Sequence, residues 1–172
     1  MFARARATGP VILVPAAWLV VGGAHLEVVS THALFVAHVV MATVIALFAI
    51  LSWREMGEGA LLAWRWVLVV GIPVTLSGVV GLQGVEPEIL LGLSLYGWMI
   101  LPAVGLLYTG RVATAPYGPA YLAGGVLSLL GAALYAGVAI SGGPVAGLVA
   151  IGALGAVGIG QTVGIATAVV HN

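Results

Sequence analysis

The sequence predicts an all-α, polytopic integral membrane protein, a six-transmembrane-helix bundle with both termini in the cytoplasm. Of the 172 residues, 62% are hydrophobic and only 6% are charged, and the mean hydropathy is +1.23. A soluble domain carries about 25% charged residues. Because so few charges cannot cover a surface that faces water, we expect the helices to face lipid.

Apolar segments of membrane-spanning length account for nearly the whole chain. A helix of about 20 apolar residues crosses the hydrocarbon core of a bilayer. The predicted spans cover approximately residues 10–28, 33–53, 61–83, 88–108, 119–140 and 144–170. The connections between them are short, so we expect one transmembrane domain over residues 1–172.

The N-terminal segment allows three interpretations. Basic residues followed by an apolar run and by Gly22-Gly23-Ala24 are typical of a secretory signal, but we interpret the segment as the first membrane helix. Alternatively, a break at Gly22-Gly23 would leave one long helix over about residues 24–53. That helix would place His25 and His32 on one face, since seven residues complete nearly two turns.

The distribution of arginine predicts the orientation. With six spans and a cytoplasmic N-terminus, all five cations fall on or near the cytoplasmic side, in agreement with the positive-inside rule. They are Arg4, Arg6, Arg54, Arg65 and Arg111. Trp53, Trp64, Trp66, Tyr108, Tyr117 and Tyr121 then form an aromatic belt at the same interface. The predicted location is therefore the cell membrane.

The composition also excludes several classes of function. The chain has no cysteine, which removes disulfides and thiolate sites. The formal net charge is zero and no basic patch occurs, so nucleic acid is not an expected partner. No catalytic motif is present, and whether the chain is an enzyme stays open.

The expected partner is the lipid bilayer, with a homo-oligomer or other membrane subunits as further candidates. The spacings Gly160-xxx-Gly164 and Ser128-xxx-Ala132 let helix backbones approach closely. They fit either an interface between copies or packing of the last two spans within one chain, and we favour the second.

Candidate ligands concentrate in residues 24–38, which hold three of the four histidines and one of five carboxylates. His25, Glu27, His32 and His38 are expected at or just below the outer face of the membrane. Neutral imidazole binds zinc, copper, iron or nickel. The leading hypothesis is a metal site of these four residues, or a haem held by His38, His32 or His25, in a membrane redox or respiratory assembly. The cofactor itself is otherwise unknown.

His38 differs from the others because it lies about two turns inside the second predicted span. An ionisable side chain within a membrane helix is a functional-site hypothesis by default. Hydrogen-bonding partners at similar depth are expected from Ser94, Tyr96 or Ser77.

A second hypothesis is a small proton- or cation-linked transporter or channel. It uses the same histidines together with an amide near mid-membrane and two prolines that each free a backbone carbonyl within a span. The residues assigned to this polar core are Gln161, Pro73, Pro102, Ser94 and Tyr96. A third hypothesis is a structural membrane subunit without a site of its own.

Overall fold

The computed structural model describes the backbone of residues 2–113 and 116–171 and the side chains of residues 9–113 and 116–170. This part of the chain forms six α-helices. They are α1 (Phe2–His25), α2 (Thr31–Leu51), α3 (Gly59–Gly81), α4 (Pro87–Val112), α5 (Gly118–Ser141) and α6 (Ala146–His171).

The helices have the length and composition of membrane spans. Five of them, α2 to α6, are long and apolar enough to cross a membrane, and the Gly9–His25 part of α1 is apolar but shorter. Large apolar side chains are exposed along their outer faces, as at Ile140 (88%) and Leu148 (77%). The chain is therefore a multi-span helical membrane protein whose outer faces contact lipid.

The first two helices are separate, so the interpretation of one long helix over residues 24–53 is wrong. α1 also begins at Phe2 rather than near residue 10, and it ends at His25 in a hydrogen-bonded turn. The Val28 N–H donates to the Gly23 carbonyl (2.9 Å) and the Glu27 N–H to the Ala24 carbonyl (3.1 Å). This is the Schellman pattern, and Glu27 occupies its left-handed position with φ +59°.

α2 begins at a capped end. The Ser30 hydroxyl accepts a hydrogen bond from the Ala33 N–H at 3.2 Å, which satisfies one of the N–H groups that a helix start leaves without a partner. Five residues separate the end of α1 at His25 from the start of α2 at Thr31, and within them the chain reverses direction.

The helices pack mainly in chain order, with α1 as the exception. α2 contacts α3, α3 contacts α4, α4 contacts α5, and α5 makes the most extensive contact of all with α6. α1 then packs on α6, and α4 also touches α6. The core between α4, α5 and α6 consists of Met99, Ala132, Leu154 and Val157.

Small residues of α5 and α6 lie at the contact between these two helices, within one chain. A Cβ on Gly160 would lie 2.5 Å from the Gly124 carbonyl oxygen and 2.7 Å from the Ser128 hydroxyl. The buried Ser128 hydroxyl donates to the Gly124 carbonyl at 2.8 Å. The two backbones can approach this closely because no side chain lies between them.

The alternation of the helices places the charged residues at two opposite ends of the bundle. The histidine end contains His25, Glu27, His32, Glu86 and Glu88, and the arginine end contains Arg54, Arg65 and Arg111 together with Glu55 and Glu58. At the arginine end, the Arg65 guanidinium lies 4.6 Å from the centre of the Trp53 ring. The Trp64 indole N–H donates to the Thr109 hydroxyl at 3.0 Å.

Candidate functional site

The structure does not gather the four residues proposed as a metal site. Among the described side chains, no group of three or more histidine and carboxylate residues is arranged to hold a metal ion. Glu27 and His32 are exposed at the histidine end. His25 and His38 are each directed toward different helices, so the four candidates lie in separate environments.

His25 connects α1 to α5. Its Nδ1 lies 2.9 Å from the Val21 carbonyl, which can only accept, so Nδ1 carries the proton. Its Nε2 lies 2.7 Å from the Tyr135 hydroxyl, which donates to it when the imidazole is neutral. Tyr135 in turn packs edge-to-face against Tyr96 of α4, with ring centres 5.8 Å apart. Tyr96 therefore lies beside Tyr135 in the group that contains His25.

His38 is half-buried and faces α3 and α4. Its Nδ1 donates to the Leu34 carbonyl at 2.9 Å, which leaves the lone pair on Nε2. A Cβ on Gly78 would lie 2.7 Å from this Nε2 and also 2.7 Å from the Ser94 hydroxyl oxygen. The imidazole and the buried Ser94 hydroxyl thus share the space that Gly78 leaves open, which we call the Gly78 notch.

Ser77, another expected partner of His38, is bonded elsewhere. Its hydroxyl lies 2.8 Å from the Val74 carbonyl and 3.2 Å from the Leu90 carbonyl. Ser94 is therefore the one of the three expected partners that lies beside the imidazole in the notch.

The surroundings of His38 do not fit a haem. An Nδ1–H bonded to a backbone carbonyl, with Nε2 free, is the usual arrangement of a metal-binding histidine. Here, however, Nε2 is packed against the backbone of Gly78. Even a single Cβ on Gly78 would lie too close to it, at 2.7 Å. A planar macrocycle has no room between this nitrogen and α3.

Gln161 forms the most connected polar group of the bundle. It is 2% exposed, and its Nε2 donates to the Trp98 carbonyl at 2.9 Å. Its Oε1 accepts from the Trp18 indole N–H at 3.0 Å. The Trp98 carbonyl lies four residues before Pro102, which has no N–H to donate to it. Gln161 therefore supplies the hydrogen bond that Pro102 cannot make.

The hydrogen bonds continue from Trp98 into α3. The Trp98 indole N–H donates to the Thr75 hydroxyl at 2.9 Å, and this hydroxyl donates to the Gly71 carbonyl at 2.8 Å. Trp18, Gln161, Trp98 and Thr75 thus join α1, α6, α4 and α3, and we call them the Gln161 network. Trp98 follows Ser94 by four residues, so the network and the Gly78 notch lie one helical turn apart on the same face of α4.

Trp18 and Trp98 were not predicted as members of this group, because tryptophan in a membrane protein is expected at the interfaces. The available signal was Gln161, since a buried amide requires both a donor and an acceptor. Pro73, in contrast, is exposed on the outer face of α3.

Every buried side-chain nitrogen and oxygen of the described residues has a hydrogen-bond partner. The buried polar side chains of the bundle are thus hydrogen-bonded as completely as those in the core of a soluble protein. Comparison with protein-family models, with curated proteins and with solved structures gave no match for this chain.

Proposed function

We propose that the chain is a small proton-linked transporter of the cell membrane in which His38 carries the proton. The observation that supports this proposal is the position of its Nε2, which faces Ser94 and the Gly78 notch inside the bundle. An ionisable group directed toward the interior of a membrane bundle is typical of proton relays and substrate pathways.

The chemistry of the pair fits a proton carrier. Histidine changes charge within the physiological pH range. Neutral His38 presents a lone pair at Nε2, and protonated His38 presents an N–H at the same place. The Ser94 hydroxyl can donate in the first state and accept in the second. Protonation therefore changes which of the two groups can donate a hydrogen bond at the notch.

The proline within α4 supports the same proposal. Pro102 interrupts the α4 backbone bonds two turns after Ser94, and a side chain of α6 replaces the missing donor. Membrane helices tolerate such breaks where neighbouring helices satisfy the freed groups. Helices kink most often at proline, so α4 has a place to bend between the notch and the arginine end.

We expect His38→Asn to lower the rate of proton movement by at least about tenfold, because an amide cannot take up a proton at neutral pH. The measurement is the rate of internal pH change in liposomes that contain the purified protein, under a potassium diffusion potential. His32→Gln is the matched control, since His32 is exposed at the start of the same helix. We expect it to retain the wild-type rate.

Two outcomes would contradict the transport proposal. One is a wild-type protein that moves no protons under either a potential or a pH gradient, which would favour the structural-subunit hypothesis. The other is an equal loss in His32→Gln, which would show a surface effect of histidine and not a role of the notch.

The proposed topology has six spans with both termini in the cytoplasm, and it can be tested cleanly because the chain has no cysteine. Gly57 is exposed in the connection at the arginine end, and Glu88 is exposed in the first turn of α4 at the histidine end. We expect a membrane-impermeant maleimide to label Glu88→Cys in intact cells, and Gly57→Cys only after permeabilisation. Labelling of both from outside would contradict the topology, and the reverse pattern would place the termini outside.

The metal and haem hypotheses find no support in the arrangement of the described residues. Elemental analysis and an optical spectrum of the purified protein test them directly. Association into a homo-oligomer or with other membrane subunits stays a prediction, and the mass of the detergent-solubilised particle tests it.

A further inference from the structure

A groove runs along the lipid-facing side of the contact between α3 and α4. It consists of two adjoining cavities of about 310 and 360 Å³ that share Val70 and Leu101. The half toward the arginine end is lined by Ala63, Trp66, Val67, Val104, Gly105 and Tyr108. We call this half the inner groove.

Small residues create the depth of the inner groove. Gly105 is buried at its floor, where a Cβ would lie 3.2 Å from the Val67 side chain. Ala63 lines the same half. The large side chains of Trp66 (59% exposed) and Tyr108 (44% exposed) stand beside this floor. The inner groove is therefore narrow and apolar, with two aromatic residues near its end toward the arginine end of the bundle, which we call its mouth.

A cation lies beyond that mouth. Arg111 is exposed in the last turn of α4. It follows Tyr108 by three residues and so lies on the same face of the helix. Arg65, at the same end of α3, is engaged by the Trp53 ring and carbonyl. Of these two cations, Arg111 is the one placed to bind an anion at the mouth of the groove.

We propose that the inner groove binds one acyl chain of an anionic phospholipid, with the headgroup phosphate at Arg111. The dimensions match, because Leu101 and Arg111 are ten residues or about 15 Å apart along α4, and one leaflet of hydrocarbon is also about 15 Å deep. Tryptophan and tyrosine occupy the headgroup level in membrane proteins. A lipid fits better than a second copy of the chain, because a helix is about 10 Å wide, and the carboxylates that a copy would bring to this end, Glu55 and Glu58, lie in its connection between α2 and α3 and not on a helix face that could enter the groove.

The test uses lipids whose acyl chains carry bromine, which quenches tryptophan fluorescence on contact. The protein is reconstituted in phosphatidylcholine vesicles with a minor fraction of brominated phosphatidylglycerol or brominated phosphatidylcholine. The signal of Trp66 is the difference between wild type and Trp66→Phe. We expect the anionic lipid to quench Trp66 at about a fivefold lower mole fraction, since one arginine near an anionic headgroup contributes about 1 kcal/mol.

The variants separate this site from general attraction to the membrane surface. Arg111→Gln is expected to remove the fivefold preference, whereas Arg54→Gln, in the exposed connection at the same end, is expected to keep it. Ala63→Leu fills part of the groove and should reduce quenching by both lipids. Circular dichroism confirms that each variant is folded.

Three results would overturn the proposal. They are equal quenching of Trp66 by the two lipids, an equal loss of preference in Arg54→Gln and Arg111→Gln, and protection of Trp66 from both lipids in the wild type. The last would show that a second copy or another protein covers the groove.

Discussion

Gln161→Leu is expected to lower the free energy of unfolding by about 1–3 kcal/mol, the cost of leaving buried polar groups without partners. The substitution preserves the approximate size of the side chain but removes its amide. The Trp18 indole N–H and the Trp98 carbonyl then lose their partners inside the bundle. Interhelical hydrogen bonds in membranes average about 0.6 kcal/mol and reach about 1.7, so the loss of two bonds costs about 1.2–3.4 kcal/mol, which agrees with this expectation. Reversible unfolding in mixed micelles measures it.

A double-mutant cycle with Pro102→Ala tests the assignment of this bond. With alanine at position 102, the backbone N–H of that residue can donate to the Trp98 carbonyl in the ordinary helical manner. The penalty of Gln161→Leu should then be smaller in the Pro102→Ala background than in wild type. Thr162→Val is the matched control, because the Thr162 hydroxyl bonds only to its own helix at Gly158. Strictly additive effects would show that Gln161 does not replace the donor missing at Pro102.

The existence of the helices could be predicted from the sequence because it depends on local properties. Apolar length defines each span, and the cap at Ser30 needs only a hydroxyl before a helical run. Local properties do not indicate which helices pack against each other. The bond between Trp18 and Gln161 joins residues 143 positions apart, and it exists because α1 packs on α6 rather than mainly on α2. No periodicity in either helix indicates that choice.

The contacts of the candidate site could not be predicted from the sequence either, even though its histidines are close together in the chain. His25 and His38 are close in sequence, and their proximity suggested a shared metal site. The turn at Glu27 separates their helices, and the contacts of each helix then decide where each imidazole points. Tyr135 of α5 binds His25, whereas the missing side chain of Gly78 makes room for His38. The helix faces, and not the spacing in the chain, determine which ligands meet.

Gly124→Ala is expected to destabilise the protein by about 1–3 kcal/mol, the usual range for overpacking a tight contact. A Cβ at this position would collide with the Gly160 carbonyl oxygen and lie 3.3 Å from the Gly164 nitrogen. Both neighbours are backbone atoms, which cannot rotate away as a side chain can. α5 and α6 would have to separate along the most extensive contact in the bundle, and thermal unfolding in detergent should register the change.

Gly137→Ala on the same helix provides the control, because the two substitutions are chemically identical. A Cβ on Gly137 would meet no atom within 4 Å. Alanine is also the better helix former by about 1 kcal/mol, so this variant should be as stable as the wild type or slightly more so. If both variants lose the same stability, glycine acts through helix flexibility. If only Gly124→Ala does, the loss comes from the contact between backbones that holds α6, and with it Gln161, against the rest of the bundle.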